Sequence, residues 1–197
     1  RFAPDYGPDC LHPQCGALVL GVRDFMAAFN INLDTRNLSL ARRIARAVRE
    51  SGTILRDEHG AILRDRGGRA MRRPGRLRFC QADAWYLQEF DLVQVTMNLH
   101  RLSVTGLHHA VEAVREEAAP LGINVTGSEL IGMLPKQALI DSGRFYAENE
   151  SRPVSGESEL IELAAGRLGL NAMQPFEPER KVLEYALEKR GVHLSED

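Results

Sequence analysis

Asn30, Asn32, Gln94, Thr96 and Asn98 are neutral hydrogen-bonding side chains that recur at every second position of two short stretches. Amides and hydroxyls set out in this way can hold and orient a polar ligand, or meet a second protein layer, through hydrogen bonds alone. In residues 91–100 the apolar Val93, Val95, Met97 and Leu99 alternate with Gln94, Thr96, Asn98 and His100. Successive strand residues point to opposite sides, so this pattern is a strand with one dry face and one polar face. Residues 25–33 copy it, with Phe25, Phe29, Ile31 and Leu33 on one side and Asn30 and Asn32 on the other. Plain solvent exposure gives the same alternation, although strands disfavour Asn. Further along, Gly127-Ser128 permits a close approach of a ligand to the backbone. Glu129 is the carboxylate nearest this polar face.

Other chemistry is thin. The sequence has no Gly-rich phosphate loop, nucleophile elbow, HExxH or clustered His/Cys pattern. Six histidines (12, 59, 100, 108, 109 and 193) are scattered, and His108-His109 at a helix start read as surface or satisfied side chains before ligands. Cys10, Cys15 and Cys80 are an odd number without CxxC spacing, which argues against a disulfide framework or a zinc site. No metal and no catalytic residue is assigned to these 197 residues.

The elements that must carry the polar side chains follow from periodicity. Residues 1–16, rich in Pro and Gly, are an extended lead-in, and the apolar run Ala17 to Val22 either extends it or pairs with the first strand. Asp34 or Thr35 caps a helix with Leu40, Ile44, Ala47 and Val48 on its inner face, stopping at Ser51-Gly52. Residues 53–76 are an insertion. Ile54-Leu-Arg-Asp57 recurs as Ile62-Leu-Arg-Asp65, which reads as a two-stranded excursion followed by a mobile arm. Seven arginines against Asp57, Glu58 and Asp65 make it basic, yet it lacks the aromatic stacking groups that accompany nucleic-acid binding. Leu77 to Leu87 is a strand, with a helix as the competing reading, and turns at 88–91 into the polar strand. Ser103 or Thr105 starts a helix with Leu107, Val111, Val114 and Ala118 inside, and residues 123–131 are the next strand. Strand, helix, strand, strand, helix, strand is the order of a split βαβ, or ferredoxin-like, unit over residues 17–134. Such a unit is an α+β sandwich with a four-stranded antiparallel sheet and both helices on one face. Its other face, carrying the amides, needs water, a ligand or another layer. Residues 135–197 form a helical extension of three helices, at 135–149, 157–168 and 178–189.

Composition sets limits. The chain is 44% apolar with net charge −2, so nothing pulls it toward nucleic acid or a membrane, and 197 residues suffice for one domain with an appendage. Cysteine usage and the lack of a signal pattern point to the cytoplasm. Arg1 in place of an initiator Met suggests that an upstream part is missing.

Six ordered blocks carry a resemblance: Ala28-Phe-Asn-Ile-Asn-Leu33, Trp85-Tyr-Leu87, Gln94-Val-Thr-Met-Asn-Leu99, Val104-Thr-Gly-Leu-His108, Gly127-Ser-Glu-Leu-Ile-Gly132 and Leu168-Gly-Leu-Asn171, with Pro175-Phe and Glu184-Tyr185 behind them. Together they resemble the glutamate formimidoyltransferase family, and more narrowly the C-terminal subdomain of its formiminotransferase domain. The resemblance implies transfer of a formimino group between N-formimidoyl-L-glutamate and tetrahydrofolate, the co-substrate, in histidine degradation. It also implies a folate tunnel between two facing ferredoxin-like subdomains, with the family's acid-base histidine in the N-terminal one. Accordingly Asn30, Asn32, Gln94, Thr96 and Asn98 are expected to line the tunnel, with Gly127 and Ser128 at its end. None of the six histidines here inherits the catalytic role, and this half alone is expected to be inactive. The implied partners are the N-terminal subdomain, the two substrates, a possible cyclodeaminase and a second copy in a homodimer. Lys136-Gln137 after Pro135 departs from the family pattern of an apolar residue followed by Lys. A non-catalytic module that binds folate or an amino acid is the alternative, and a purely structural oligomerisation domain is the third reading.

Overall fold

The computed structural model describes residues 3–192; residues 1–2 and 193–197, including His193, lie outside them. Four strands form the main sheet: β1 (Ala27–Leu33), β4 (Cys80–Leu87), β5 (Leu92–Leu99) and β6 (Val125–Ile131). They pair antiparallel in the order β4-β5-β1-β6, which is the ferredoxin-like arrangement read from the element order. Helices α1 (Leu38–Val48) and α2 (Leu107–Ala118) cover one face. Phe29, Ile31, Leu33, Val93, Val95, Met97 and Leu99 point into the core beneath them and are essentially fully buried. Each such side chain contributes about 1.5–3 kcal/mol relative to exposure, so the dry half of each alternation fixes the register of the sheet.

Boundaries differ from the periodic reading for local reasons. β1 begins at Ala27, leaving Phe25 exposed, and Leu18, Val19, Leu20 and Val22 lie in an extended, solvent-exposed lead-in. The cap of α1 is Asn37, whose Oδ1 accepts the Leu40 amide at 3.2 Å. Asp34 instead accepts both the backbone and side-chain N–H of Asn124, each at 2.7 Å, and these bonds hold its carboxyl below the usual range. Helix α2 starts after Gly106, whose amide is accepted by His109 Nδ1 at 3.1 Å, while Thr105 Oγ1 donates to the Arg78 carbonyl at 2.6 Å.

The insertion is not a hairpin with a loose arm. It is a closed, three-armed knob. Antiparallel pairs join Arg56 to Ile62, Arg64 to Ala70, and β2 (Thr53–Ile54) to β3 (Arg72–Arg73). At the centre the amide of Leu63 donates to Leu55 (3.0 Å), that of Met71 to Leu63 (2.8 Å) and that of Leu55 to Met71 (2.9 Å), so three residues spaced eight apart close a ring of hydrogen bonds. Asp57 Oδ1 accepts the amides of His59 and Ala61 and Asp65 Oδ1 those of Gly67 and Arg69, at 2.9–3.0 Å. Those carboxylates close two of the turns. The knob joins the body through Gly52 and Gly75, where an added Cβ would come within 1.9 Å of Arg73 O and 2.0 Å of Arg49 O respectively.

Helices α3 (Lys136–Asn149) and α4 (Glu157–Leu168) pack on each other and on α2. The last predicted helix is divided into α5 (Pro178–Lys181) and α6 (Leu183–Glu188), because Val182 is extended and bridges Leu134. The edge strand β6 is thereby covered: Ser128 donates its amide to Gly169 O (2.9 Å), and Lys181 Nζ donates to Leu130 O (3.0 Å). Among the described residues no helix is long and apolar enough to cross a membrane.

Candidate functional site

The sheet face opposite α1 and α2 is built from three rows of side chains set by strand register. Trp85, Gln94, Asn32 and Gly127 form one row; Asp83, Thr96, Asn30 and Glu129 the second; Gln81, Asn98, Ala28 and Ile131 the third. Six sequence-predicted residues, Asn30, Asn32, Gln94, Thr96, Asn98 and Gly127, are therefore brought together on one surface. Gln81, Asp83, Trp85 and Ile131 are exposed, so this face is open where the opposite one is packed.

Exposure divides the predicted residues. Asn30, Asn32 and Gln94 are only 3%, 1% and 0% exposed, whereas Thr96, Asn98 and Glu129 are half-buried. The buried amides bond to one another: Trp85 Nε1 donates to Gln94 Oε1 at 2.8 Å, Gln94 Nε2 to Asn32 Oδ1 at 2.8 Å and to Glu129 Oε2 at 3.3 Å, and Asn30 Nδ2 to Glu129 Oε2 at 3.3 Å. Satisfied in this way, amides can sit inside a sheet surface without the penalty of unpaired polar burial. They form a layer that aims Trp85 and Glu129. The alternation located the amides, and only the cross-strand register shows that they converge on these two side chains.

Gly127 and Ser128 play other parts. A side chain at Gly127 would meet Ala172 Cβ at 2.1 Å, so the turn after α4, not a ligand, takes the space beside its backbone. Ser128 pairs in register with Ile31 on the core side and donates its hydroxyl to Leu168 O at 2.7 Å. It therefore satisfies a carbonyl at the end of α4 and does not line the polar face.

The histidine pair is structural. His108 Nδ1 lies 3.1 Å from Ser142 Oγ, whose own proton goes to Ala138 O at 2.8 Å, so the imidazole donates; its ring stacks on Phe145 at 4.6 Å. Burial, helped by His109, pushes the His108 pKa down to about 4. Cys80 is buried, which raises its thiol to about 12, and Cys10 and Cys15 are exposed. Lys136 is engaged in the helical layer: its ammonium meets Glu157 at 2.8 Å and lies over the Tyr185 ring. Among the described residues no group of three or more His, Cys, Asp or Glu side chains could hold a metal ion.

With this geometry in place, comparison with known proteins is decisive at one level. The family model of the formiminotransferase domain matches residues 28–188. The chain belongs to the formiminotransferase family. It is 40% identical over 196 residues to the formimidoyltransferase-cyclodeaminase of Sus scrofa, a match that covers 99% of this chain and 33% of that protein. It is 33% identical over 190 residues to the protein of that name from Dictyostelium discoideum, covering 96% and 32% respectively. Against the glutamate formimidoyltransferase of Streptococcus pyogenes serotype M1 it is 34% identical over 149 residues, 76% of this chain and 42% of that one. This formiminotransferase-family chain thus spans about a third of the cyclodeaminase-bearing relatives and about two fifths of the shorter one. The matched region contains every residue of the three polar rows.

Proposed function

We propose that the three-row polar face is one wall of a folate-binding cleft used in formimino transfer between N-formimidoyl-L-glutamate and tetrahydrofolate. A second ferredoxin-like subdomain, from outside these residues, supplies the facing wall and the acid-base group. The observation that carries this reading is a sheet packed on one side and, on the other, open and lined with preorganised hydrogen-bonding groups, in a member of the formiminotransferase family. The relatives' names supply the reaction class. Their greater length supports further parts beside this one, a cyclodeaminase among them, and we expect the assembly to be a homodimer.

The reaction joins an amine nitrogen of the acceptor to the amidine carbon of the donor, moves a proton and expels the glutamate amine. Here Thr96, Asn98, Glu129 and Trp85 hold the flat, polar substrates against the facing wall. Asn30 and Gln94, with Asn32 behind Gln94, keep Glu129 and Trp85 in place. Confining two reactants in one geometry is worth several kcal/mol of barrier before any proton moves, so a wall that only holds and orients the substrates still contributes to rate. The histidine-degradation setting goes with this donor.

Calorimetry with 5-formyltetrahydrofolate, with and without the facing subdomain, tests the reading. Binding that requires both halves is expected. Tight binding by this chain alone favours the alternative, a non-catalytic module that senses a folate or amino acid. No binding by the two halves together overturns both.

A further inference from the structure

We infer that Glu129 is the recognition group of the polar face and that its carboxylate takes a planar N–C–N edge carrying two N–H donors. This inference rests on the folate-transfer reading above and adds to it which side chain meets the ligand and by what chemistry.

The direction of the hydrogen bonds singles out Glu129. Asn30, Asn32 and Gln94 are themselves closed to solvent. Their network runs from the Trp85 indole to Gln94, whose amide divides between Asn32 Oδ1 and Glu129 Oε2, and Asn30 donates to that same Oε2. Bonds aligned in series polarise one another, and two fixed donors on one oxygen hold the carboxylate in orientation. Among the described residues no side chain or amide donates to Oε1. No Lys, Arg or His among them lies within ion-pair distance of Glu129. Lys181, which reaches the neighbouring residue, donates its ammonium to Leu130 O. Oε1 keeps both of its lone pairs, so a half-buried, oriented carboxylate without a counter-ion can take the two parallel N–H bonds of a flat group on that one oxygen, each bond strengthened by the charge.

Both substrates of the proposed reaction contain such an edge. In the donor it is the formimidoyl amidine, cationic when protonated. In the acceptor it is the 2-amino-4-oxopyrimidine edge of the reduced pterin. The shared chemistry is the N–C–N donor pair, and binding measurements separate the two sources.

Glu129→Gln is the informative variant, because it keeps a carbonyl oxygen for Asn30 and Gln94 while removing the charge and half of the acceptor capacity. The full native polypeptide that carries these residues is titrated by calorimetry with 5-formyltetrahydrofolate and, separately, with N-formimidoyl-L-glutamate, after circular dichroism has confirmed the fold. At least tenfold weaker binding of either ligand is the expected result, and the ligand affected names the edge recognised. If Glu129→Gln is misfolded, Glu129→Asp, which retains charge but shortens the reach, is read by the same criterion. Unchanged affinity for both ligands overturns the assignment of Glu129 while leaving the cleft intact. Failure of the unmodified protein to bind either ligand overturns the folate-transfer reading itself, and Glu129 with it.

Discussion

Gln94 Nε2 donates to Asn32 Oδ1 over 2.8 Å, tying the two central strands together through side chains that are both closed to solvent. Gln94→Leu leaves Asn32 without that donor and the Trp85 indole without its acceptor. A loss of about 1–3 kcal/mol is expected for the stranded groups. Urea denaturation measures it, and the emission of Trp85, the single tryptophan of the sequence, should move to the red as its indole is released. An unchanged midpoint and spectrum would show that the amide layer holds nothing in place.

Asn98 sits in the outermost row, half-buried and without a side-chain hydrogen bond among the described residues. Asn98→Leu should therefore leave stability within about 0.5 kcal/mol while lowering formimino transfer by the native polypeptide. Full turnover would remove Asn98 from the wall.

At the neck of the knob, Gly75→Ala forces a methyl group to within 2.0 Å of Arg49 O and 2.8 Å of Ala47 O, at the end of α1. Because both neighbours are backbone, relief requires α1 or the knob to move. A cost of about 2 kcal/mol or more is expected, read as a lowered thermal midpoint. Alanine at Gly60, where φ is +81° and an added Cβ meets nothing within 4 Å, is the comparison that shows backbone strain without crowding.

His108 predicts an acid-side stability change. Its pKa is about 4 in the folded chain against 6.5 when unfolded, so the unfolded state takes up its proton first as pH falls. The neutral imidazole's contribution is whole above pH 6.5, declines between 6.5 and 4, and is constant below 4. Thermal midpoints taken across that window should fall, and His108→Gln should flatten part of the slope. His109, also lowered by burial, keeps the remainder.

The basic knob invites a charge test. Arg72 donates to Ser51 O and Arg76 pairs with Glu116 and Glu117, whereas Arg69 and Arg73 make no side-chain hydrogen bond or ion pair among the described residues. If the knob attracts the anionic glutamate tail of folate, replacing Arg69, Arg72 and Arg73 by Gln weakens a polyglutamylated folate more than the monoglutamate. Equal effects on the two would discard that role.

The main sheet and its two covering helices were legible because their period-two and helical patterns are strong and their buried positions uninterrupted. Val111 and Val114 on α2, and the alternation from Val93 to Leu99, needed no tertiary information. What periodicity does not carry is whether a polar residue on the outer side is itself exposed. Asn30 and Asn98 read alike along their strands, but Asn30 has Thr96 and Glu129 as lateral neighbours and is enclosed. Alternation along β6 puts Ser128 on the side opposite Gly127 and Glu129, but its partner there, the Leu168 carbonyl at the end of α4, is a long-range feature. The knob's third arm was hidden by divergence: Ala70-Met-Arg-Arg73 retains one residue of the Ile-Leu-Arg-Asp repeat, so only hydrogen bonding reveals the return of the chain. Asn37 caps α1 instead of Asp34, its equal by residue type, because Asp34 is spent on Asn124, which only the tertiary structure shows.

Gly52 and Gly75 lie side by side, so the knob leaves and rejoins the body at one place. An added Cβ on Gly52 would come within 2.7 Å of the Gly75 amide nitrogen, so the polypeptide departs and comes back at nearly one point, and α1 and β4 hold their places on either side of it. Such a junction is a natural splice site: a fluorescent protein, an affinity tag or a second binding module could stand in for the knob without asking the sheet to re-register.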